Sequence, residues 1–309
     1  MFARLATRID TFNGQKLARR FKSGWPSSSR PDIKFHKTLL AQYRYRERAP
    51  AENPENVLTI VLLADPPVTL ERYDDLLESW GKRFRIVVFE SAAMGFSAPE
   101  PGYDFTFRQT NDDVASFLRA IVGEKSILAF SCVSGLGAID IAVRYPDLVR
   151  GLFLMQTADW ETMIGWKKRL DSTGLLSKPV LGQMMMKRLG VSGTPGWFKQ
   201  ALGRRDQMGP FCDCAAEGFS HGAQFSLASA FQRYLTGPSP LGVPDQPVRV
   251  LWGARDASHD VVSSTGAEMV RMIAPQATFE ALEHVGHFPE LQDPDAVLQR
   301  IARFARAVV

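Results

Sequence analysis

Apolar strands alternate with amphipathic helices along most of this sequence, and that alternation limits the possible folds more than any other feature. Strand-like runs are predicted over residues 33–40, 41–45, 57–64, 85–90, 126–131, 149–155 and 248–253. Helices are predicted over residues 70–84, 111–122 and 136–144. This order is typical of a mostly parallel central sheet with helices on both faces. The predicted class is therefore α/β.

The composition is that of a folded globular domain. Of the 309 residues, 45% are hydrophobic and 23% are charged, which excludes a disordered, collagen-like or coiled-coil chain. The apolar run at 57–64 is too short for a membrane-spanning helix, which needs roughly 20 residues. Three cysteines, Cys132, Cys212 and Cys214, cannot form a disulfide framework. They favour a reducing compartment, and the sequence predicts a cytoplasmic protein.

Positive charge is concentrated near the N-terminus. Residues 1–50 contain 12 Lys and Arg against 3 Asp and Glu, although the whole chain carries only +4. Within a basic arm at 1–31, apolar residues over 2–12 predict a short amphipathic helix, interrupted at Asn13 and Gly14. The arm is interpreted as packing on the body or partly disordered, or as docking to an acidic carrier or a membrane surface. No nucleic-acid readout motif accompanies it, so nucleic acid is not expected as a partner.

The sequence between the strands at 149–155 and 248–253 is unusually long. Residues 159–247 are rich in Trp, Phe and Met on what read as several helices. An apolar insertion at this place predicts a helical cap over a site for hydrophobic ligands. The predicted organisation is an arm at 1–31, a core at 32–158 and 248–309, and a cap at 159–247.

Three segments carry candidate chemistry in the order nucleophile, acid, histidine. Cys132 lies between a predicted strand and a predicted helix, where a tight turn exposes a side chain and the helix N-terminus lowers the pKa of a thiol. Asp256 follows the strand at 248–253, and His287 lies in a Gly-His-Phe motif before the last helix. In this order an acid orients an imidazole, and the imidazole activates a nucleophile.

From about residue 32 onward the chain resembles the α/β-hydrolase superfamily, in its capped epoxide-hydrolase, esterase and acyltransferase-like branch. The matching motifs are Arg-Tyr-Pro at 144–146, Trp-Gly-x-x-Asp at 252–256 and Gly-His-Phe at 286–288. The resemblance implies an α/β-hydrolase fold and a triad of Cys132, His287 and Asp256. No cofactor and no metal are expected, because Cys212 and Cys214 lack a second pair of ligands at suitable spacing.

The nucleophile turn departs from the family pattern. Where the family usually reads Gly-x-Ser-x-Gly, residues 130–134 read Phe-Ser-Cys-Val-Ser. Phe130 is larger than the residue usually found in its place, so the turn is expected to be distorted or shifted by one residue, which would make Ser131 the nucleophile. The number of residues between the turn and the Arg-Tyr-Pro motif favours Cys132 as the nucleophile.

The oxyanion hole departs as well. The family's His-Gly-x-Pro turn corresponds to residues 64–67, which read Ala-Asp-Pro-Pro. Neither Pro66 nor Pro67 has an N–H group, so one donor is lost unless the amide or the side chain of Asp65 replaces it. Loss of one such donor typically costs about 2.7–4 kcal/mol of transition-state stabilisation. The N–H of Val133 is the other expected donor.

These features predict an acyl-transfer enzyme, either a hydrolase or an acyltransferase. Its substrate would be a hydrophobic ester or acyl thioester, and Cys132 would carry a covalent thioester intermediate. One alternative is a non-catalytic binding or accessory protein on a hydrolase scaffold. Another is a lyase or cyclase in which His287 acts as the base. His259 and His284 are interpreted as lying outside the site.

Overall fold

The structure is a computed structural model that describes residues 2–21, 32–52, 57–259 and 263–308. Its strands are β1 (Lys34–Lys37), β2 (Ala41–Arg48), β3 (Thr59–Ala64), β4 (Arg85–Glu90), β5 (Met94–Gly95), β6 (Ala98–Pro99), β7 (Ser126–Ala129), β8 (Val149–Met155), β9 (Gln224–Phe225), β10 (Val248–Gly253) and β11 (Thr278–Leu282). The main sheet has the order β1-β2-β4-β3-β7-β8-β10-β11, with β6 paired to β2. β5 and β9 form a separate antiparallel pair.

The six strands from β4 to β11 in this order run parallel, whereas β1 and β2 are antiparallel to their neighbours. Every residue of β3 and β7 is buried, as expected for strands covered on both faces. The carboxyl ends of parallel strands meet at one edge of the sheet. The loops after β3, β7, β10 and β11 therefore converge there.

Helices cover both faces of the sheet, which confirms the predicted fold class. They are α1 (Phe2–Phe21), α2 (Asp74–Trp80), α3 (Phe107–Ile121), α4 (Cys132–Arg144), α5 (Trp160–Leu170), α6 (Leu181–Ala201), α7 (Met208–Ser220), α8 (Leu227–Ser229), α9 (Ser263–Arg271), α10 (Pro289–Gln292) and α11 (Pro294–Val308). One apolar core joins the sheet to α3, α4 and α9, and a second joins it to α2 and α11. In the described ranges, no helix combines the length and apolar character that crossing a membrane requires.

Several predicted elements have different bounds in the structure, among them two helices. The helix expected over 70–84 divides into a 3₁₀ turn at Leu70–Tyr73 followed by α2. The helix expected from residue 136 begins four residues earlier, at Cys132. Its early start requires Gly135, because a Cβ there would lie 2.0 Å from Oγ1 of Thr157. The glycine provides a close contact between the helix and Thr157, which follows β8.

The predicted interruption at Asn13 and Gly14 is wrong, because α1 continues through both residues. Gly14 faces β6, and a Cβ on it would lie 2.5 Å from Cδ of Pro99. The glycine allows the helix to approach the sheet closely and does not end it. The arm's helix thus packs on the body of the protein.

A buried ion pair supports the loop after β4. The guanidinium of Arg44 is fully buried and lies 3.0 Å from Oε1 of Glu90, and it also pairs with Glu71. The other oxygen of Glu90 accepts a hydrogen bond of 2.7 Å from the Phe96 amide. Burial raises the pKa of Glu90 to about 7, although the Arg44 charge opposes this. The loop that follows lines one side of the central cavity.

Replacing Arg44 with leucine should destabilise the protein by about 3–5 kcal/mol, because Glu90 would be left buried without its cation. Urea unfolding followed by circular dichroism would measure this change in the free energy of unfolding. Arg119→Leu is the matched control, because Arg119 pairs with Asp147 at the surface at 3.2 Å. That loss should cost about 1 kcal/mol or less. Equal losses for the two variants would contradict the importance of the buried pair.

Candidate active site

Cys132 occupies the tight turn between β7 and α4. Its backbone is in the left-handed region with φ of 54°, whereas Ser131 is extended with φ of −116° and ψ of 154°. A non-glycine residue in the left-handed region costs roughly 1–2 kcal/mol, so such strain is concentrated at functional sites. The residue at the tip of the turn is therefore Cys132, and Ser131 precedes it as a buried, extended residue.

Neighbouring groups hold this turn in place. The hydroxyl of Thr157 donates to the carbonyl of Cys132 at 3.0 Å, and the Met155 amide donates to the carbonyl of Phe130 at 3.0 Å. The ring of Phe130 is buried in the core, with its centroid 5.8 Å from that of Phe89. The expected distortion or shift by one residue is therefore wrong, because the core beneath the turn has room for the phenylalanine.

Asp256 lies in the loop after β10 and accepts hydrogen bonds from residues of several elements. Its Oδ2 accepts from Nδ1 of His287 at 2.6 Å, from Nε2 of Gln156 at 2.7 Å and from Nδ1 of His259 at 3.0 Å. The amide of Ser258 donates to Oδ1 at 2.9 Å. Burial alone would raise the pKa of Asp256, but the two histidines hold it well below its usual range. The carboxylate is thus ionised and fully engaged.

His287 is buried between two carboxylates. Its Nδ1 lies 2.6 Å from Asp256 and its Nε2 lies 2.9 Å from Oδ2 of Asp65. Since ionised carboxylates only accept hydrogen bonds, this arrangement suits an imidazolium that donates from both nitrogens. Burial lowers the pKa of His287, but the charges of Asp256 and Cys132 raise it well above its usual value.

His259, which the sequence analysis assigned to a position outside the site, belongs to the cluster. Its Nδ1 contacts Asp256, and its Nε2 lies 4.0 Å from the sulfur of Cys132. Its ring stacks on Trp166 at 5.3 Å and lies 5.2 Å from the ring of His287. The only signal in the sequence was its spacing, three residues after Asp256. His284 does lie outside, exposed and bound to Asp293 at 2.6 Å.

Neighbouring groups shift the pKa of the Cys132 thiol in opposite directions. Burial and the Asp65 carboxylate raise its pKa, whereas the charge of His287 and hydrogen bonds with both histidines lower it, and the net shift is downward. The sulfur, a nitrogen of His287 and a carboxylate oxygen of Asp65 all lie within 4.8 Å of one another. This environment favours a thiolate close to imidazolium.

The loop after β3 offers few hydrogen-bond donors to the cavity. Pro66 and Pro67 have no N–H group, and the amide of Val68 donates to the carbonyl of Asp65 at 3.2 Å. The amide of Asp65 faces the hydroxyl of Tyr73. The side chain of Asp65 points to His287 instead. Val133 lies in the first turn of α4, where amide groups have no partner within the helix.

Among the residues that the structure describes, two groups of side chains have the composition of metal sites, namely Asp65 with Cys132 and His287, and Asp256 with His259 and His287. Each histidine nitrogen that faces a carboxylate in these groups lies at an ordinary hydrogen-bond distance, between 2.6 and 3.0 Å. The hydrogen bonds alone account for the geometry. Cys212 and Cys214 belong to neither group, and Cys214 lies 3.4 Å from the hydroxyl of Thr69.

A cavity of about 320 Å³ opens next to these residues. Cys132, His287 and Asp65 line its floor, and residues 159–247 supply apolar side chains to its walls. These include Trp166, Met185, Met186, Trp197, Phe225 and Phe231. A cavity of this size with apolar walls and a few polar groups at one end suits a hydrophobic small molecule.

Comparison with known proteins agrees with this architecture. The model of the alpha/beta hydrolase family matches residues 61–300, and no curated protein matches the sequence significantly. A thermophilic esterase from Thermogutta terrifontis superimposes with a TM-score of 0.65 at 20% identity, covering 89% of this chain and 97% of its own. A loop variant of haloalkane dehalogenase DbeA from Bradyrhizobium elkanii superimposes with a TM-score of 0.64 at 16% identity. The match covers 90% of this chain and 97% of the dehalogenase. An N-acyl homoserine lactone degrading enzyme superimposes with a TM-score of 0.63 at 15% identity. The match covers 88% of this chain and 100% of that enzyme.

At these identities the similar structures establish the fold alone. The family match covers most of the chain, and the hydrolase turn, acid and histidine meet at the edge of the sheet where that fold carries its site. The chain belongs to the alpha/beta hydrolase family.

Proposed function

We propose that this hydrolase acts on a hydrophobic ester or thioester through a covalent thioester on Cys132, and that the acyl group then passes to water or to another acceptor. The left-handed backbone of Cys132 carries the proposal, because it places the thiol at the wall of the cavity, beside two histidines that share one buried carboxylate. The apolar cavity supports a hydrophobic acyl chain. The esterase among the similar structures is consistent with chemistry at an acyl carbon.

In the acylation step the two histidines have different roles, one as the base and the other as the acid. His259 donates its Nδ1 hydrogen to Asp256, so its Nε2 carries the lone pair that faces the thiol at 4.0 Å and takes its proton. The sulfur then forms a bond to the carbonyl carbon, and the carbonyl electrons move to oxygen. His287, protonated at Nε2, donates that proton to the leaving oxygen or sulfur as its bond to carbon breaks.

Deacylation runs in the opposite direction. With its Nε2 proton gone, His287 removes a proton from water or from the acceptor, which attacks the thioester carbon. The carbon–sulfur bond breaks, and the sulfur of Cys132 regains the proton held by His259. The Val133 amide is the available donor to the oxyanion, and Asp65 returns His287 to its doubly hydrogen-bonded state.

One observation favours a second candidate function. Asp65 brings a carboxylate, which repels an oxyanion, to the place where the family uses an amide donor, and its oxygen lies 2.9 Å from Nε2 of His287. Such a pair would suit a lyase or cyclase that moves a proton without forming a tetrahedral oxyanion. Cys132 would then only line the cavity. The two candidates differ in whether an acyl group is ever bound to Cys132.

An acyl adduct should form on the wild-type protein after brief incubation with p-nitrophenyl esters and acyl thioesters of several chain lengths. Intact-protein mass spectrometry would detect it. Cys132→Ala should lose the adduct and slow turnover by more than about a thousandfold, and Cys132→Ser should retain weak activity. Cys214→Ala is the control, because Cys214 is buried against Thr69 away from the cavity. Wild-type turnover in Cys132→Ala would refute the nucleophile, and the absence of both an adduct and a released product with every donor would favour the lyase or cyclase.

The pH dependence of alkylation tests how the histidine and Asp65 act on the thiol. In the wild type, iodoacetamide should modify Cys132 at a pH below that needed for an ordinary cysteine, because its pKa is lowered. His259→Gln removes a hydrogen bond that lowers this pKa, so the profile should move to higher pH. Asp65→Asn removes a negative charge that raises it, so the profile should move to lower pH. Each unit of movement changes the thiolate fraction about tenfold.

Labelling would be followed at Cys132 by peptide mass spectrometry, and circular dichroism would establish that each variant is folded. Shifts of the same sign in the two variants would contradict the electrostatic account. An unchanged profile in His259→Gln would remove His259 from the mechanism and leave His287 as the base for the thiol.

A further inference from the structure

One face of helix α1 packs against the body of the protein. Ala6 and Leu17 are buried, and the carboxylate of Asp10 accepts a hydrogen bond of 2.5 Å from the hydroxyl of Ser229. Further along the helix, the side chain of Gln15 donates to the carbonyl of Pro99 at 2.8 Å. These contacts define how the helix is rotated and therefore which residues it turns outward.

The outward face combines positive charge with large apolar side chains. Leu5 is 49% and Phe12 is 67% exposed, and Arg8 and Lys16 are exposed in the same row. The steps of three and four residues from 5 to 8, 12 and 16 keep these side chains on one side of the helix. Asp10, the only acidic residue of α1, is turned inward. The outward face of α1 therefore carries cations without a carboxylate from its own helix.

A second helix, packed against α1, also exposes large apolar side chains. α6 packs against α1 and exposes Leu181, Met184 and Val191 by 48%, 62% and 54%. Other side chains of α6, among them Met185 and Met186, line the cavity. The two helices thus hold five of the exposed large apolar side chains found in the described residues, and one of these helices also forms a wall of the cavity.

We propose that α1, with the exposed side of α6, docks the protein on a lipid surface that carries anionic headgroups. Cations interleaved with Phe and Leu on a helix that lies flat are the pattern of an interfacial helix, in which arginine and lysine meet phosphates while the apolar side chains enter the acyl region. A purely acidic protein surface would satisfy the cations but would leave Phe12 and Leu5 without an apolar partner, whereas an anionic lipid surface supplies both. The proposal stands independently of the acyl-transfer mechanism, because it rests on surface residues outside the cavity.

Flotation with lipid vesicles tests the docking, using the full-length protein without substrate. The wild type should float with phosphatidylcholine vesicles that contain phosphatidylglycerol, should bind pure phosphatidylcholine much more weakly, and should be released as salt is raised. The double variant Leu5→Glu, Phe12→Glu should lose most of the bound fraction. Leu39→Glu is the matched control, because Leu39 is 87% exposed in the turn between β1 and β2, and it should float like the wild type.

Three results of the flotation experiment would overturn the proposal. They are a wild type that stays in solution with anionic vesicles at low salt, equal binding to vesicles with and without phosphatidylglycerol, and an equal loss in Leu39→Glu. Binding to a purified acidic acyl carrier protein without binding to vesicles would also overturn it, in favour of a protein partner. Cys132→Ala should float like the wild type, so the failure of docking and the failure of the proposed chemistry would be seen separately.

Discussion

The buried carboxylate of Asp256 is the interaction on which the site depends. It lies at the end of β10 and binds His287 from the loop after β11, His259 from its own loop and Gln156 from the end of β8. An ionised carboxylate in a buried environment is tolerated only with such a set of donors. Because its hydrogen-bond donors come from three loops, Asp256 connects those loops and orients both imidazoles toward one side. Removing the charge would release all of these contacts together.

Backbone strain lies close to this carboxylate and is supported from outside the site. Cys132 and Gln156 both have left-handed backbone, with φ of 54° and 48°. The Thr157 hydroxyl accounts for part of the support, since it donates to the carbonyl of Cys132 at 3.0 Å. Gly135 allows α4 to lie against Thr157, because any larger residue would clash there. The geometry of the thiol thus depends on packing between α4 and the end of β8.

Asp65 gives this site its own character within the family. A carboxylate at the usual donor position holds Nε2 of His287 at 2.9 Å and opposes ionisation of Cys132. The second histidine provides a compensating influence on the thiol, since His259 lowers the pKa that Asp65 raises. Asp65 and His259 are therefore two parts of one electrostatic arrangement.

Local pattern in the sequence determined most strands of the main sheet but not β11, together with the fold class and the order of Cys132, Asp256 and His287 along the chain. β4, β8 and β10 have the predicted bounds, because a strand covered on both faces leaves a continuous apolar run in the sequence. The continuity of α1, the early start of α4 and the place of His259 in the site were decided only by the tertiary structure. Gly14 reads as a helix breaker until Pro99 is seen against it, and the contact of Gly135 with Thr157 cannot be predicted from local sequence. His259 reads as a surface residue until Asp256 and Trp166 are seen to enclose it. Periodicity reports which residues of an element face the core, whereas contacts between residues far apart in the chain depend on how the elements are assembled.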